Sequence, residues 1–113
     1  MKHIMKLQPK YYNYILHGTK RIEIRLNDLK RQKIKVGDII TFKNVSNLEN
    51  SFDVKVIELF KYNSFKDLIN NFDISIIANN SMNKDDVIID LEKYYPPSKQ
   101  SKYGVLGIKF KLL

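Results

Sequence analysis

The sequence predicts an α+β fold: a small β-barrel of about five to six mostly antiparallel strands with flanking helices. Three features carry that expectation. A period-two segment, Lys20 to Leu26, starts directly after a helix-stopping glycine; a second, Tyr103 to Leu112, closes the chain; and two capped helical patterns fill the interval 64–95. At 113 residues the chain reads as one domain, 1–113, of a size that buries roughly two thirds of its unfolded surface. A doubly wound α/β fold fits poorly, because the strand at 39–43 follows its predecessor without an intervening helix.

Residues 2–7 alternate loosely and form a first strand. Gln8-Pro9 opens a helix, since proline lacks an N–H that the first helical position does not use. Tyr11, Tyr12, Ile15 and Leu16 give that helix an inward stripe running to about His17, and Gly18 supplies the left-handed residue that ends it. The helical spacing of the tyrosines favours core packing over base stacking. From Lys20 to Leu26 the period drops to two, with Ile22, Ile24 and Leu26 on one face and Arg21, Glu23 and Arg25 on the other. A basic connection, 27–36, ends in a Gly37-Asp38 turn, and Ile39 to Lys43 is the next strand.

Asn44 to Ser51 reads as a polar hairpin loop. The strand after it, Phe52 to Phe60, contains a bulge or change of face. Ser64 followed by Asp67 caps a short helix carrying Phe65, Leu68 and Ile69. Phe72 to Ala78 makes a further turn or short helix, which Asn79-Asn80-Ser81 breaks. Asn83 with Asp86 caps a longer helix through Tyr94, its apolar stripe being Val87, Ile88, Leu91 and Tyr95. Pro96-Pro97 stops it. A loop, 98–102, leads to the last strand, whose Val105, Gly107, Lys109 and Lys111 oppose Leu106, Ile108, Phe110 and Leu112.

Composition narrows the function classes. The chain has no cysteine, which excludes disulfides, thiolate chemistry and sulfur-based zinc sites. His3 and His17 lack the spacing of a shared metal pair, so no metal and no cofactor are expected. No apolar run approaches the roughly 20 residues of a membrane span, and the first residues lack the features of a secretion signal. A cytoplasmic location is expected. The net charge of +8 favours a polyanionic partner. Lysine greatly outnumbers arginine, however, and the richness in Lys, Asn, Ile, Tyr and Phe is also that of A/T-rich codons.

The charged face is the candidate site. Glu23 lies two residues from both Arg21 and Arg25, so the three side chains project together about 7 Å apart. Spacing alone describes a solvated face with ion pairs worth about 0–1 kcal/mol. Gly18, Lys20, Glu23 and Arg25, however, form a GxKxxExR pattern, followed by Lys35-Val36-Gly37-Asp38 and flanked by Met5-Lys6-Leu7, Tyr103-Gly104-Val105 and Ile108-Lys109-Phe110. In that order and spacing the chain resembles, almost end to end, the ASCH family of PUA-like barrels, in which this signature lines a cleft.

The resemblance implies a binding module for RNA or a modified nucleoside or nucleotide. Arg25, held by Glu23, would present a guanidinium to a phosphate or base edge, and Lys20 a compact positive charge. Lys99, Lys102 and Tyr103 would add charge and a stacking ring. It also implies an alternative, a small hydrolase: an N4-acetylcytidine amidohydrolase or a ribonuclease, with Lys20 and Glu23 as reacting groups. The lysine of the amidohydrolase set matches Lys20. Glu23 stands where its threonine would be, and no glutamate between 64 and 95 aligns with its acid; Asp73, Asp85 and Asp86 are the nearest acids there. A catalytic lysine must also lose its proton, which Arg21 and Arg25 favour and Glu23 opposes. A third reading is a protein-interaction domain whose basic cleft takes an acidic peptide.

Overall fold

The structure is a computed structural model that describes residues 1–113. In chain order it contains β1 (Lys2–Leu7), α1 (Pro9–Leu16), β2 (Ile22–Leu26), a 3-10 turn (Arg31–Lys33), β3 (Ile39–Asn44), β4 (Asn47–Tyr62), α2 (Phe65–Asn70), α3 (Ile74–Ile77), α4 (Lys84–Glu92), α5 (Pro97–Tyr103) and β5 (Val105–Leu112). The five strands form one curled, half-barrel sheet in the order β1-β3-β4-β5-β2. β1 runs parallel to β3, and the other three pairings are antiparallel. The curl leaves β1 and β2 as the two free edges.

Alternation along the strands builds two cores on opposite faces of the sheet. Inside the curl, Met5, Leu7, Ile40, Phe42, Val54, Val56, Ile108 and Phe110 pack with Tyr12 and Ile15 of α1. On the other face Ile22, Ile24 and Val105 meet Phe65, Leu68, Ile69, Ile77 and Val87 of the helical layer. The bulge expected in β4 lies between Val56 and Glu58 and shifts the register against β5. Ser64 accepts the Asp67 N–H, and Asn83 with Asp86 forms a reciprocal capping box, so α2 and α4 begin where their sequence signals lie.

Several expectations need correction. Lys20 precedes β2 instead of beginning it, because its backbone N–H bonds back to the Tyr14 carbonyl at the end of α1. Leu16 is exposed; Tyr12 and Ile15 bury the inner face of α1. The β3–β4 hairpin turns within residues 45–46, so the polar stretch read as a loop extends β4. Residues 98–102 are helical: Pro97 takes the first position of α5, and the buried Gln100 accepts the Phe65 N–H and donates to Glu92 and the Tyr95 carbonyl. A proline pair that stops one helix therefore starts the next. Tyr103 ends α5 rather than opening β5. No helix is long and apolar enough to cross a membrane.

Gly104 makes the α5–β5 turn with φ +73° and ψ −176°, a region essentially reserved for glycine. A Cβ there would also lie 3.1 Å from the Tyr62 carbonyl oxygen. Gly104→Ala is therefore expected to lower stability by about 1–3 kcal/mol in urea unfolding. An unchanged midpoint would contradict this backbone assignment.

Candidate functional site

Four segments converge at the slot between the free edges: Lys6–Tyr11 from the end of β1 and start of α1, Lys20–Arg25 around β2, Ile77 of α3, and Val87–Tyr95 of α4 and its exit. They enclose a cavity of about 460 Å³. Its floor is a chain of buried charges. Lys20 and Glu23 are 3% and 5% exposed, far from the solvated face that spacing alone describes. Arg21 departs from the set: it is exposed, and its Nε donates to the Gly18 carbonyl.

Lys20 Nζ donates to the carbonyls of Ile22 (2.6 Å) and Ile77 (2.8 Å) and pairs with Glu23 Oε1 at 3.2 Å. All three partners are acceptors. A neutral amine has only two N–H groups and a lone pair, so this geometry selects the ammonium. Burial pulls Lys20 below its ordinary value and Arg25 adds to this, while Glu23 opposes both. The Tyr11 ring, 5.5 Å from Nζ, gives the cation a further favourable contact.

Glu23 holds the two cations apart. Its Oε2 accepts from Arg25 Nε at 2.8 Å. Burial pushes the Glu23 carboxyl up, but Arg25 and Lys20 outweigh it and hold the group below the usual carboxylate range. Burial likewise works against the Arg25 charge, and Glu23 with Tyr95 reverses it. Arg25 Nη2 donates to the Lys6 carbonyl at 2.7 Å, so one guanidinium ties β2 to β1 across the slot. The α3 end is tied in the same way: its terminal carbonyls Ile76 and Ile77 accept from the Arg21 N–H and from Lys20 Nζ.

The walls are tyrosines and aliphatic side chains. Tyr11 O–H donates to Asp90 at 2.7 Å, and Lys10 Nζ lies 2.9 Å from the same carboxylate. Burial, then the bond to Asp90, pushes the Tyr11 phenol up, so it stays a donor. Gln8 Nε2 donates to Tyr94 O–H, a second bridge between α1 and the exit of α4. Tyr11, Asp90, Tyr94 and Tyr95 were not among the residues expected here. Tyr11 and Tyr95 carried a helical period that also describes core, and nothing local distinguishes Asp90 from any surface acid.

Lys99, Lys102 and Tyr103 stand outside this cavity. Lys99 and Lys102 are exposed on α5, and Lys102 Nζ lies 5.1 Å above the Tyr103 ring. Tyr103 instead lines a second, more open hollow with Asn27, Lys61 and Tyr62. Gln100, the buried face of α5, turns the lysines outward. No group of three or more His, Asp or Glu side chains is assembled to hold a metal ion.

The ASCH domain model matches residues 5–113. The chain belongs to the ASCH domain family. This ASCH chain is similar along its full length to hypothetical protein PH0355, whose crystal structure agrees with TM-score 0.87 at 33% identity over 100% of both chains. It is also similar to protein PF0455 from Pyrococcus furiosus, solved by solution NMR: TM-score 0.78, 30% identity, 100% of this chain and 98% of that one. A mutant of ZmASCH from Zymomonas mobilis shares the fold, with TM-score 0.65 and 9% identity over 96% of this chain and 66% of that one. No curated protein matches the chain. ASCH domains are PUA-like and RNA-associated, and the half-barrel described above is that fold.

The coupling in the floor has a measurable consequence. Glu23→Gln leaves Lys20 and Arg25 buried without their shared counter-charge and is expected to cost about 3–5 kcal/mol at pH 7. The folded Glu23 value lies below its unfolded one, so its contribution is full above about pH 4.3 and is lost as pH falls through the folded value. Urea unfolding from pH 2 to 7 should show that acid-side loss shrink in the variant. A cost below about 1 kcal/mol would mean the carboxylate is not coupled as described.

Proposed function

We propose that the cavity binds a nucleoside unit, free or as an unpaired residue of an RNA chain. The observation that carries this reading is an ionised, cation-coupled floor beneath tyrosine walls. Glu23 keeps lone pairs beyond those used by Lys20 and Arg25, and the Arg25 guanidinium, bonded through Nε to Glu23 and Nη2 to Lys6, turns its remaining donors toward the Tyr95 hydroxyl and the cavity. An acceptor beside a donor suits a base edge that presents an amino group next to a ring acceptor. Tyr94 and Tyr95 offer flat faces on which such a base can stack. The volume falls in the range of small-molecule sites.

The same geometry argues against Lys20 as a nucleophile or general base. Its three N–H groups are committed to three acceptors, and removing a proton would break one of these buried contacts. Lys20 instead positions Glu23. Recognition is what the arrangement supports best.

Calorimetric titration with cytidine and with a short single-stranded RNA tests the reading. Tyr94→Ala removes an exposed ring and is expected to weaken binding roughly ten- to hundredfold with the fold intact by circular dichroism. Arg25→Lys keeps the charge but loses the planar fork, and should weaken cytidine further than RNA. Absence of cytidine binding, or affinities indifferent to both changes, would reject the cavity as the site.

A further inference from the structure

The sheet has an outward face that the cavity does not use. Met5, Leu7, Ile40, Phe42, Val54, Val56 and Phe110 point into the curl, so their neighbours on the strands point away from it. On β1, β3, β4 and β5 those outward positions include Lys2, Lys6, Lys43, Lys55 and Lys111. Lys2, Lys6, Lys55 and Lys111 are exposed, Lys43 is half-buried, and no helix covers them. Asp53 and Glu58 are the acids on this side: Asp53 accepts from Thr41 O–H at 2.6 Å and lies 3.9 Å from Lys2, and the exposed Glu58 stands opposite Lys109.

Register makes this face unusual. Lys6 lies directly opposite Lys43, and Lys55 directly opposite Lys111. Like charges facing each other across strands destabilise a sheet. None of these four lysines makes a salt bridge, which is the arrangement expected where a polyanion supplies the missing negative charge. Lys6 also lines the cavity mouth, so the lysine face begins where the proposed nucleoside site ends. Ile4 and Ile57 are exposed large apolar side chains on this side, but they lie on different strands and no aromatic ring projects beside them, which favours a phosphate backbone over membrane insertion.

We propose that this outward β-sheet face binds the phosphate backbone of an RNA strand whose unpaired residue occupies the cavity, which rests on the function proposed above. The lysines act as point charges that track phosphates without reading sequence. Base recognition stays with the cavity.

The test uses the whole chain and three probes: cytidine, a twelve-nucleotide single-stranded RNA, and vesicles of phosphatidylserine and phosphatidylcholine. Lys43→Gln, Lys55→Gln and Lys111→Gln are combined in one variant; Lys33→Gln, Lys66→Gln and Lys99→Gln, at exposed positions elsewhere, give a control of equal net charge. The face variant is expected to lose RNA affinity at least tenfold and to lower the slope of log affinity against log salt by about 2, at ~0.7 per phosphate contact. Its cytidine affinity and thermal midpoint should hold, the midpoint even rising as like charges are removed. Equal RNA losses in both variants would overturn the face in favour of overall charge. So would unchanged RNA affinity in the face variant, RNA that does not bind at all, or losses confined to the vesicles. Failure of the cavity reading is separate: RNA binding that depends on the face while cytidine does not bind would leave the face standing and remove the nucleoside site.

Discussion

The half-barrel is closed by charge where its backbone leaves it open. β1 and β2 end the sheet with unpaired edges, a position that β-proteins ordinarily protect. Here Arg25 reaches from β2 to the Lys6 carbonyl of β1, Lys20 binds the carbonyls of Ile22 and Ile77, and Glu23 joins the two cations. Strand edge, opposite edge and helical layer thus meet at one carboxylate. Removing two cations and an anion from water is costly, so the arrangement persists because nearly every donor in it has an acceptor.

That satisfaction also determines what the site can do. A buried ammonium with three acceptors is a fixed positive point beside Glu23. The spare capacity lies in the remaining lone pairs of Glu23 and the remaining donors of Arg25, both oriented by the contacts that close the barrel. A ligand meeting them encounters groups that need no reorganisation, in surroundings where polar contacts are strengthened by low dielectric. The tyrosines add apolar area with polar tips, and Asp90 and Gln8 hold two of those tips in place. Inside, positive charge is coupled to a carboxylate; outside, on the lysine face, it is nearly free. The two regions therefore differ in kind: a satisfied, buried charge cluster inside and exposed lysines outside.

Local signals were legible in the sequence where local physics governs. The caps at Ser64 and Asn83 depend on side chains three residues from the N–H groups they accept, and both formed as read. The period of two in Ile22, Ile24 and Leu26 specified a buried face, and all three are buried. The same period located Glu23 and Arg25 opposite them but left open whether that side met water. Pro96-Pro97 was legible as a stop and not as a start, because α5 is held by Gln100, whose partners lie in α2 and in the residues from Glu92 to Tyr95.

By itself the sequence determined the strand and helix order around the signature and set Glu23 beside Arg25, because periodicity and capping act over a few residues, while the family, and Lys20 as a member of that cluster, came from the resemblance of Gly18, Lys20, Glu23 and Arg25 to the ASCH signature. Tertiary structure alone decided that this cluster is buried, that Tyr11, Asp90, Tyr94 and Tyr95 wall it, and that Lys99, Lys102 and Tyr103 stand apart from it. Burial and enclosure arise from which distant segments share a space, here the β1–β2 slot bridged by a single guanidinium, and no local pattern of residues encodes that meeting.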